Sequence, residues 1–352
     1  MKHNWTVTLM LVALFILSQV VGLWLINRES TVGFDSKTNM TTIMFNDTAI
    51  GARPETTGSG SLIYIILAIA IGTGLILVIV KYGRTNIWRS WFFLAVWMAL
   101  CVSIGALIKY KVWFPYDVAI VLALILTAWK IFKPNIIIHN LTEVLMYAGI
   151  GLIIVPLFTG GLIPFTKVYI SGELWTVTLL IIISLYDMYA VWKSKHMVAM
   201  AQFQTKSNVF AGLMIPYRQD EKSKKVEIFT HANKSENRNS NTPEVKSMNT
   251  PKIRAGKTSP KNAILGGGDI AFPLIFIGTV MNGLILKLTL ANPTMAISAI
   301  KATAFLQSSI IILTATIALT LLFVFAKKGK FYPAMPFLTA GCLVGWAITL
   351  LL

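Results

Sequence analysis

The sequence predicts an all-α, polytopic membrane protein of about nine transmembrane helices, with its N-terminus cytoplasmic and its C-terminus extracellular. Three observations predict it. Of 352 residues, 55% are hydrophobic and only 13% charged, where a soluble chain carries about a quarter charged residues. The apolar residues fall into runs of about 20, the length at which a helix rising 1.5 Å per residue crosses a hydrocarbon core about 30 Å thick. Lysine and arginine collect in alternate gaps between those runs.

The first run, 5–26, is longer than a secretory signal's apolar stretch of roughly 7–15 residues, and no small-residue cleavage site follows it. It reads as an uncleaved span. The loop 27–60 is polar and expected outside. Its Asn39-Met40-Thr41 and Asn46-Asp47-Thr48 match the glycosylation acceptor pattern, which also arises by chance. Spans two to five are read at 61–80, 89–108, 114–132 and 136–158, the middle two separated only by Lys109-Tyr110-Lys111. Gly160-Gly161 and Pro164 mark a turn before span six, 168–192. From about 199 to 261 the chain is rich in Lys, Asn, Ser and Thr and cannot bury a core, so it is expected to be largely disordered. Within it only Val209–Tyr217 is apolar enough for a short strand. Spans seven to nine are read at 262–286, 302–326 and 333–352. The expected organisation is 1–158 with five spans and an external loop, 159–192 with span six, 193–261 as a basic cytoplasmic loop, and 262–352 with the last three spans.

With nine spans, alternate loops share a side. One side receives Lys2, Lys81, Arg84, Arg89, Lys130, Lys133, the long loop, Lys327, Lys328 and Lys330. Cations on the other are scattered and partly offset by Glu29, Asp35, Asp47 and Glu55. The positive-inside rule then sets the orientation, with the chain multi-pass in the cell membrane and surrounded by the lipid bilayer. The formal charge of +17 is accounted for in this way, so no nucleic-acid partner is called for. Cys101 and Cys342 lie inside apolar runs, where they behave as small hydrophobes. They are too few for a disulfide framework or a zinc site, and no metal or cofactor is expected.

Two aspartates break this pattern. Asp187 and Asp269 each interrupt a membrane-length apolar run, and both runs abut the long loop. A carboxylate near the middle of a bilayer helix costs roughly 2.5–3.5 kcal/mol on insertion scales. Asp187 lies six residues before Lys193 and Asp269 eight after Lys261, so read as helix both sit at matching depth, roughly 9–12 Å below one surface. Antiparallel neighbours would bring the carboxyl groups together. Two carboxyl groups sharing a low-dielectric site hold one proton between them. Such a pair supplies both functions of peptide hydrolysis: an ionised member to take a proton from water and a protonated one to polarise the carbonyl. Gly266, Gly267 and Gly268 precede the second aspartate, where the lack of side chains permits close backbone approach or simply tight helix packing.

Leu185-Tyr186-Asp187, Gly266-Gly267-Gly268-Asp269 and Pro333-Ala334-Met335 together resemble the YD, GxGD and PAL motifs of the presenilin and signal peptide peptidase family, the GxGD-type intramembrane aspartyl proteases. Lys195-His196-Met197 after span six is most similar to archaeal presenilin homologues. The resemblance runs from about span five to the C-terminus. It implies a presenilin-like fold, Asp187 and Asp269 as the catalytic pair, and Pro333, Ala334 and Met335 as an element holding substrate close by. Met335 stands where the motif has Leu, a swap of similar volume. Tyr186 and the three glycines are carried along as substrate-binding candidates, Tyr186 as a hydrogen-bond donor. Because helical amides are shielded, substrate must be unwound, and the resemblance implies that part of the long loop, such as Val209–Tyr217, pairs with it as a strand. Expected partners are transmembrane peptides or membrane proteins. Nothing in the sequence requires accessory subunits and nothing forbids them.

His139 and Glu143 share a helix face four residues apart, which reads as a local polar contact near the membrane edge, since two ligands do not make a metal site. Asp117 reads as interfacial and Lys301 as snorkelling. The expected activity is therefore an aspartic endopeptidase cutting within transmembrane segments. The alternative is a proton- or cation-coupled transporter or channel using the same aspartates. A scaffold working through the basic loop leaves them unexplained.

Overall fold

The computed structural model describes residues 5–35, 40–53, 58–109, 114–133, 135–158, 160–162, 169–193, 200, 203–204, 207, 209–217, 261–326 and 332–352. Among the described residues there are nine α-helices: α1 (Trp5–Glu29), α2 (Ser59–Lys81), α3 (Thr85–Ile108), α4 (Pro115–Phe132), α5 (Ile136–Ile154), α6 (Gly172–Met188), α7 (Gly267–Ala291), α8 (Ile297–Phe325) and α9 (Met335–Leu351). Eight are long and apolar enough to cross a membrane, and α9 is a shorter apolar helix of 17 residues. The nine expected spans are thus nine helices, with Lys109 ending α3 and Pro115 opening α4 as the first helical residue. Outward faces stay apolar: Ile63, Leu67, Ile71 and Val78 on α2 and Leu306, Leu313 and Ile317 on α8 are all exposed. A helix apolar on every side belongs in lipid.

Residues Met1–Met214 with Ile264–Leu352 form one compact unit and Ile215–Ala263 a second, of which 215–217 and 261–263 are described. In the first unit α1 packs against α3, α5, α7 and α8, and α3 packs on α4 and α5. Helices α6, α7 and α9 contact one another, and α9 lies along α8. That last seam depends on small residues: a methyl group on Gly341 would stand 2.8 Å from the Thr314 carbonyl oxygen, and one on Gly345 2.7 Å from the Ile311 Cα. Backbones this close are the usual solution where lipid supplies no hydrophobic drive between helices.

Helix α7 is irregular near its start. Pro273 lies inside it and offers no N–H to the carbonyl of Asp269, four residues earlier. The next carbonyl, of Ile270, receives the side-chain amide of buried Gln19 on α1 at 2.9 Å.

Among the described residues, the loop between α1 and α2 is more structured than its polarity suggested. β1 (Ser30–Asp35) and β2 (Met40–Phe45) form an antiparallel hairpin in register from Ser30↔Phe45 to Asp35↔Met40. Threonine, valine, isoleucine and phenylalanine in both strands favour this conformation. Its base is tied to the helices. Lys301 Nζ donates to the Ser30 carbonyl at 2.9 Å, so this lysine is held by a protein partner rather than simply snorkelling. Lys109 pairs with Glu29 at 3.2 Å. Arg53 donates to the carbonyls of Asn46, at 3.0 Å, and Leu152, and lies 5.2 Å from the Phe45 ring centroid. Burial pushes the Arg53 guanidinium below its ordinary range, against the opposing charges of Glu29 and Asp47.

Short strands β3 (Gly161–Leu162) and β4 (Tyr169–Ile170) pair before α6. β5 (Gly212–Tyr217) falls within the expected strand, and its partner is β6 (Lys261–Gly266). β6 corrects the expected limits of span seven: 261–266 is extended, and helix begins only at Gly267. Pairing with β5 makes the segment a strand, and Gly266, of low helical preference, ends it where α7 begins. The residues 218–260, the Lys195-His196-Met197 triplet, Asn39 and the Lys327, Lys328 and Lys330 cluster lie outside the described residues.

Candidate active site

Asp187 is the sixteenth of 17 residues in α6 and is 5% exposed. Its own helix presents carbonyl dipoles there, an unfavourable place for a carboxylate. The compensation comes from another helix. Met335 N–H, at the start of α9, donates to Asp187 Oδ2 at 3.2 Å. First-turn amides have no partner within their own helix, so α9 directs a free donor at Asp187. One turn along, the Ser184 and Thr339 hydroxyls meet at 2.7 Å, tying α6 to α9 at a second level. A π-helical turn, Tyr189–Lys193, follows Asp187, and the half-buried Tyr186 lends its carbonyl to the amide of Tyr189 as that turn begins.

Asp269 is the third residue of α7, not a mid-helix residue, because the preceding stretch is β6. The depth of this aspartate was expected from a helical rise, and the extended segment replaces that estimate. Gly266 is the N-cap, with φ −63° and ψ 147°. Gly266 is beside Asp269 although it is not helical: a methyl group on it would stand 3.2 Å from Oδ2. Gly268 is exposed and Asp269 half-buried.

Asp187 and Asp269 stand on helices that pack together, within electrostatic range of one another. Among the described residues, neither has a lysine or arginine as ion-pair partner. The geometry thus brings Asp187, Asp269, the glycines and Ala334–Met335 to the neighbouring ends of α6, α7 and α9. Among the described residues no three His, Cys, Asp or Glu side chains gather as metal ligands would.

Helix α5 holds what the sequence reading missed. Glu143 is completely buried inside the protein. It pairs with Lys130 of α4, accepts the Tyr147 hydroxyl at 2.5 Å, and accepts the Gly212 amide of β5 at 2.9 Å. His139 Nε2 lies 2.9 Å from the Gly212 carbonyl oxygen, and Asn140 bonds both the carbonyl and the amide of Met214, at 2.9 and 3.0 Å. Upstream, Trp88 and Arg89 of α3 donate to the carbonyls of Val209 and Ser207, at 3.3 and 2.9 Å. The first part of β5 is thus moored by side chains of α5, and the chain just before it by side chains of α3. The available signal was spacing: His139, Glu143 and Tyr147 recur every four residues on one face.

A family model described as "Signal-peptide peptidase, presenilin aspartyl protease" matches residues 12–352. Two solved structures of a presenilin family intramembrane aspartate protease, in space groups C222 and P2, share the fold. The first is 15% identical with a TM-score of 0.53 over 98% of both chains, and the second is 16% identical with a TM-score of 0.53 over 99% of both. A comparison with curated protein sequences returns no match.

Proposed function

The chain belongs to the signal-peptide peptidase and presenilin aspartyl protease family, and from that premise we propose that Asp187 and Asp269 are the catalytic pair of this multi-pass, intramembrane hydrolase. The observation that supports the reading is that two aspartates stand on packed helices, α6 and α7, within electrostatic range and without a cationic partner among the described residues. One proton is shared between them. The ionised carboxylate takes a proton from water, which attacks the scissile carbonyl carbon while the protonated carboxyl donates to its oxygen. The tetrahedral intermediate then collapses, the C–N bond breaks, and the proton passes to the leaving amine. Either aspartate can fill either role.

A main-chain donor from α9 fits this scheme, since the Met335 amide holds Asp187 in one orientation. Pro333, Ala334 and Met335 then serve the site through backbone first, with substrate contact added. Tyr186, Gly266, Gly267 and Gly268 line the approach for an unwound substrate segment. The sheet of β5 and β6 is the element proposed to pair with it, by strand addition. The N-terminus and the long loop are assigned to the cytoplasm, the C-terminus to the exterior, and the chain to the cell membrane, on the distribution of cations.

Reconstitution with a labelled single-span peptide tests the reading. Fragments should appear, and should be lost on Asp187→Ala or Asp269→Ala and with transition-state analogues of aspartyl proteases. Continued cleavage by either alanine variant overturns the catalytic pair. Charge movement without cleavage indicates an ion-coupled carrier instead.

A further inference from the structure

We infer that Tyr147, held by Glu143 and Lys130, is a positioning residue that sets the first turn of α7 and so the placement of Asp269. The inference rests on the reading of Asp269 as catalytic and adds a device that the pair itself does not contain. Tyr147 is 2% exposed, and its hydroxyl donates to Glu143 Oε2 at 2.5 Å. Glu143 cannot yield, because its other oxygen is engaged by Lys130, itself buried with its ammonium 5.4 Å from the Phe92 ring centroid. The tyrosine ring therefore has a fixed end.

That fixed end abuts Gly267. A methyl group there would stand 2.5 Å from the hydroxyl oxygen and 3.3 Å from both Cε1 and Cζ of the ring. The far end of a tyrosine ordinarily swings aside, but this one is anchored and enclosed, so the backbone of α7 rests against a wall. Asp269 is two residues further on and interacts electrostatically with Tyr147. The same Glu143 oxygen that holds the hydroxyl also accepts the amide of Gly212 in β5. One buried carboxylate thus references both the strand proposed to take substrate and the turn that carries Asp269.

The wall and the glycine should behave as one unit. With the full chain in proteoliposomes and a labelled single-span peptide, Tyr147→Phe is expected to lower kcat by roughly tenfold with KM within about twofold, the signature of misplaced chemistry rather than lost binding. Gly267→Ala should lower kcat further. Adding Tyr147→Phe to Gly267→Ala should raise kcat above the glycine variant alone, because the nearest clash is removed and only the 3.3 Å contacts remain. Glu143→Gln, which keeps an acceptor for the hydroxyl, should retain more kcat than Glu143→Leu. An unchanged kcat for Tyr147→Phe, or a double variant slower than Gly267→Ala, overturns the inference. Asp269→Asn serves as the control: if it still cleaves, the catalytic reading has failed, whereas its inactivity beside a fully active Tyr147→Phe rejects only the positioning role.

Discussion

Two sets of carboxylates in this molecule have opposite surroundings. Glu29 and Glu143 each face a lysine, Lys109 at 3.2 Å and Lys130 in a fully enclosed pair. Asp187 and Asp269 have no such partner among the described residues, and Asp187 instead accepts the main-chain amide of Met335. A lysine partner offsets a carboxylate's charge. Amide donors orient a carboxylate without neutralising it, which leaves its proton free to come and go. The first arrangement suits holding helices together, and the second suits chemistry.

Substitution should separate the two sets. The largest expected effect is on turnover: Asp187→Asn or Asp269→Asn should reduce peptide cleavage by at least about 10²–10⁴-fold. Thermal unfolding in detergent should show no loss of stability, since a lone charge has been removed from an apolar setting. A large drop in melting temperature for either variant would place that aspartate with the structural set. Next comes Glu143→Leu, which strands Lys130 and is expected to cost about 3–5 kcal/mol of stability. Adding Lys130→Met should recover much of that loss in the same unfolding measurement. No recovery would mean that Lys130 and Glu143 are not coupled.

Smaller effects probe the donor to Asp187. Gly341→Ala forces α9 away from α8, and overpacking of this kind costs about 1–3 kcal/mol. Cleavage should fall with it, because α9 also carries the amide of Met335. Retained cleavage in a destabilised Gly341→Ala protein would show that the 3.2 Å contact to Asp187 survives the shift. The smallest effect is predicted for Met335→Leu, which leaves the amide in place and should keep cleavage within about twofold, as volume-conserving swaps do. A large loss would shift the weight to the side chain.

Long apolar runs made the helices legible, because hydropathy over about 20 residues is a local property of the chain. Asp187 and Asp269 stood out for the same reason, as charges in the wrong solvent. The start of α7 was misread: Lys261–Gly266 is apolar enough to extend a span, and only pairing with β5 makes it a strand. Nothing local reveals that pairing, since the two strands are separated by more than forty residues. Glu143 was noticed and undervalued, because Lys130 and Gly212, which give it meaning, meet it only after the helices pack. The hairpin of β1 and β2 was hidden by the polarity of its loop, although its β-branched and aromatic residues were in view.

The proline at 273 bears on how Asp269 comes to be aimed. By withholding an amide from the carbonyl of Asp269, it uncouples the opening turn of α7 from the rigid rod behind it. That turn then takes its bearing from side neighbours, Gln19 on one helix and Tyr147 on another. A continuous rod would aim its acid wherever the far end of the helix happened to settle. A jointed one lets the surrounding bundle do the aiming, so tolerance to drift at the distant end of the rod comes at no loss of aim at the tip.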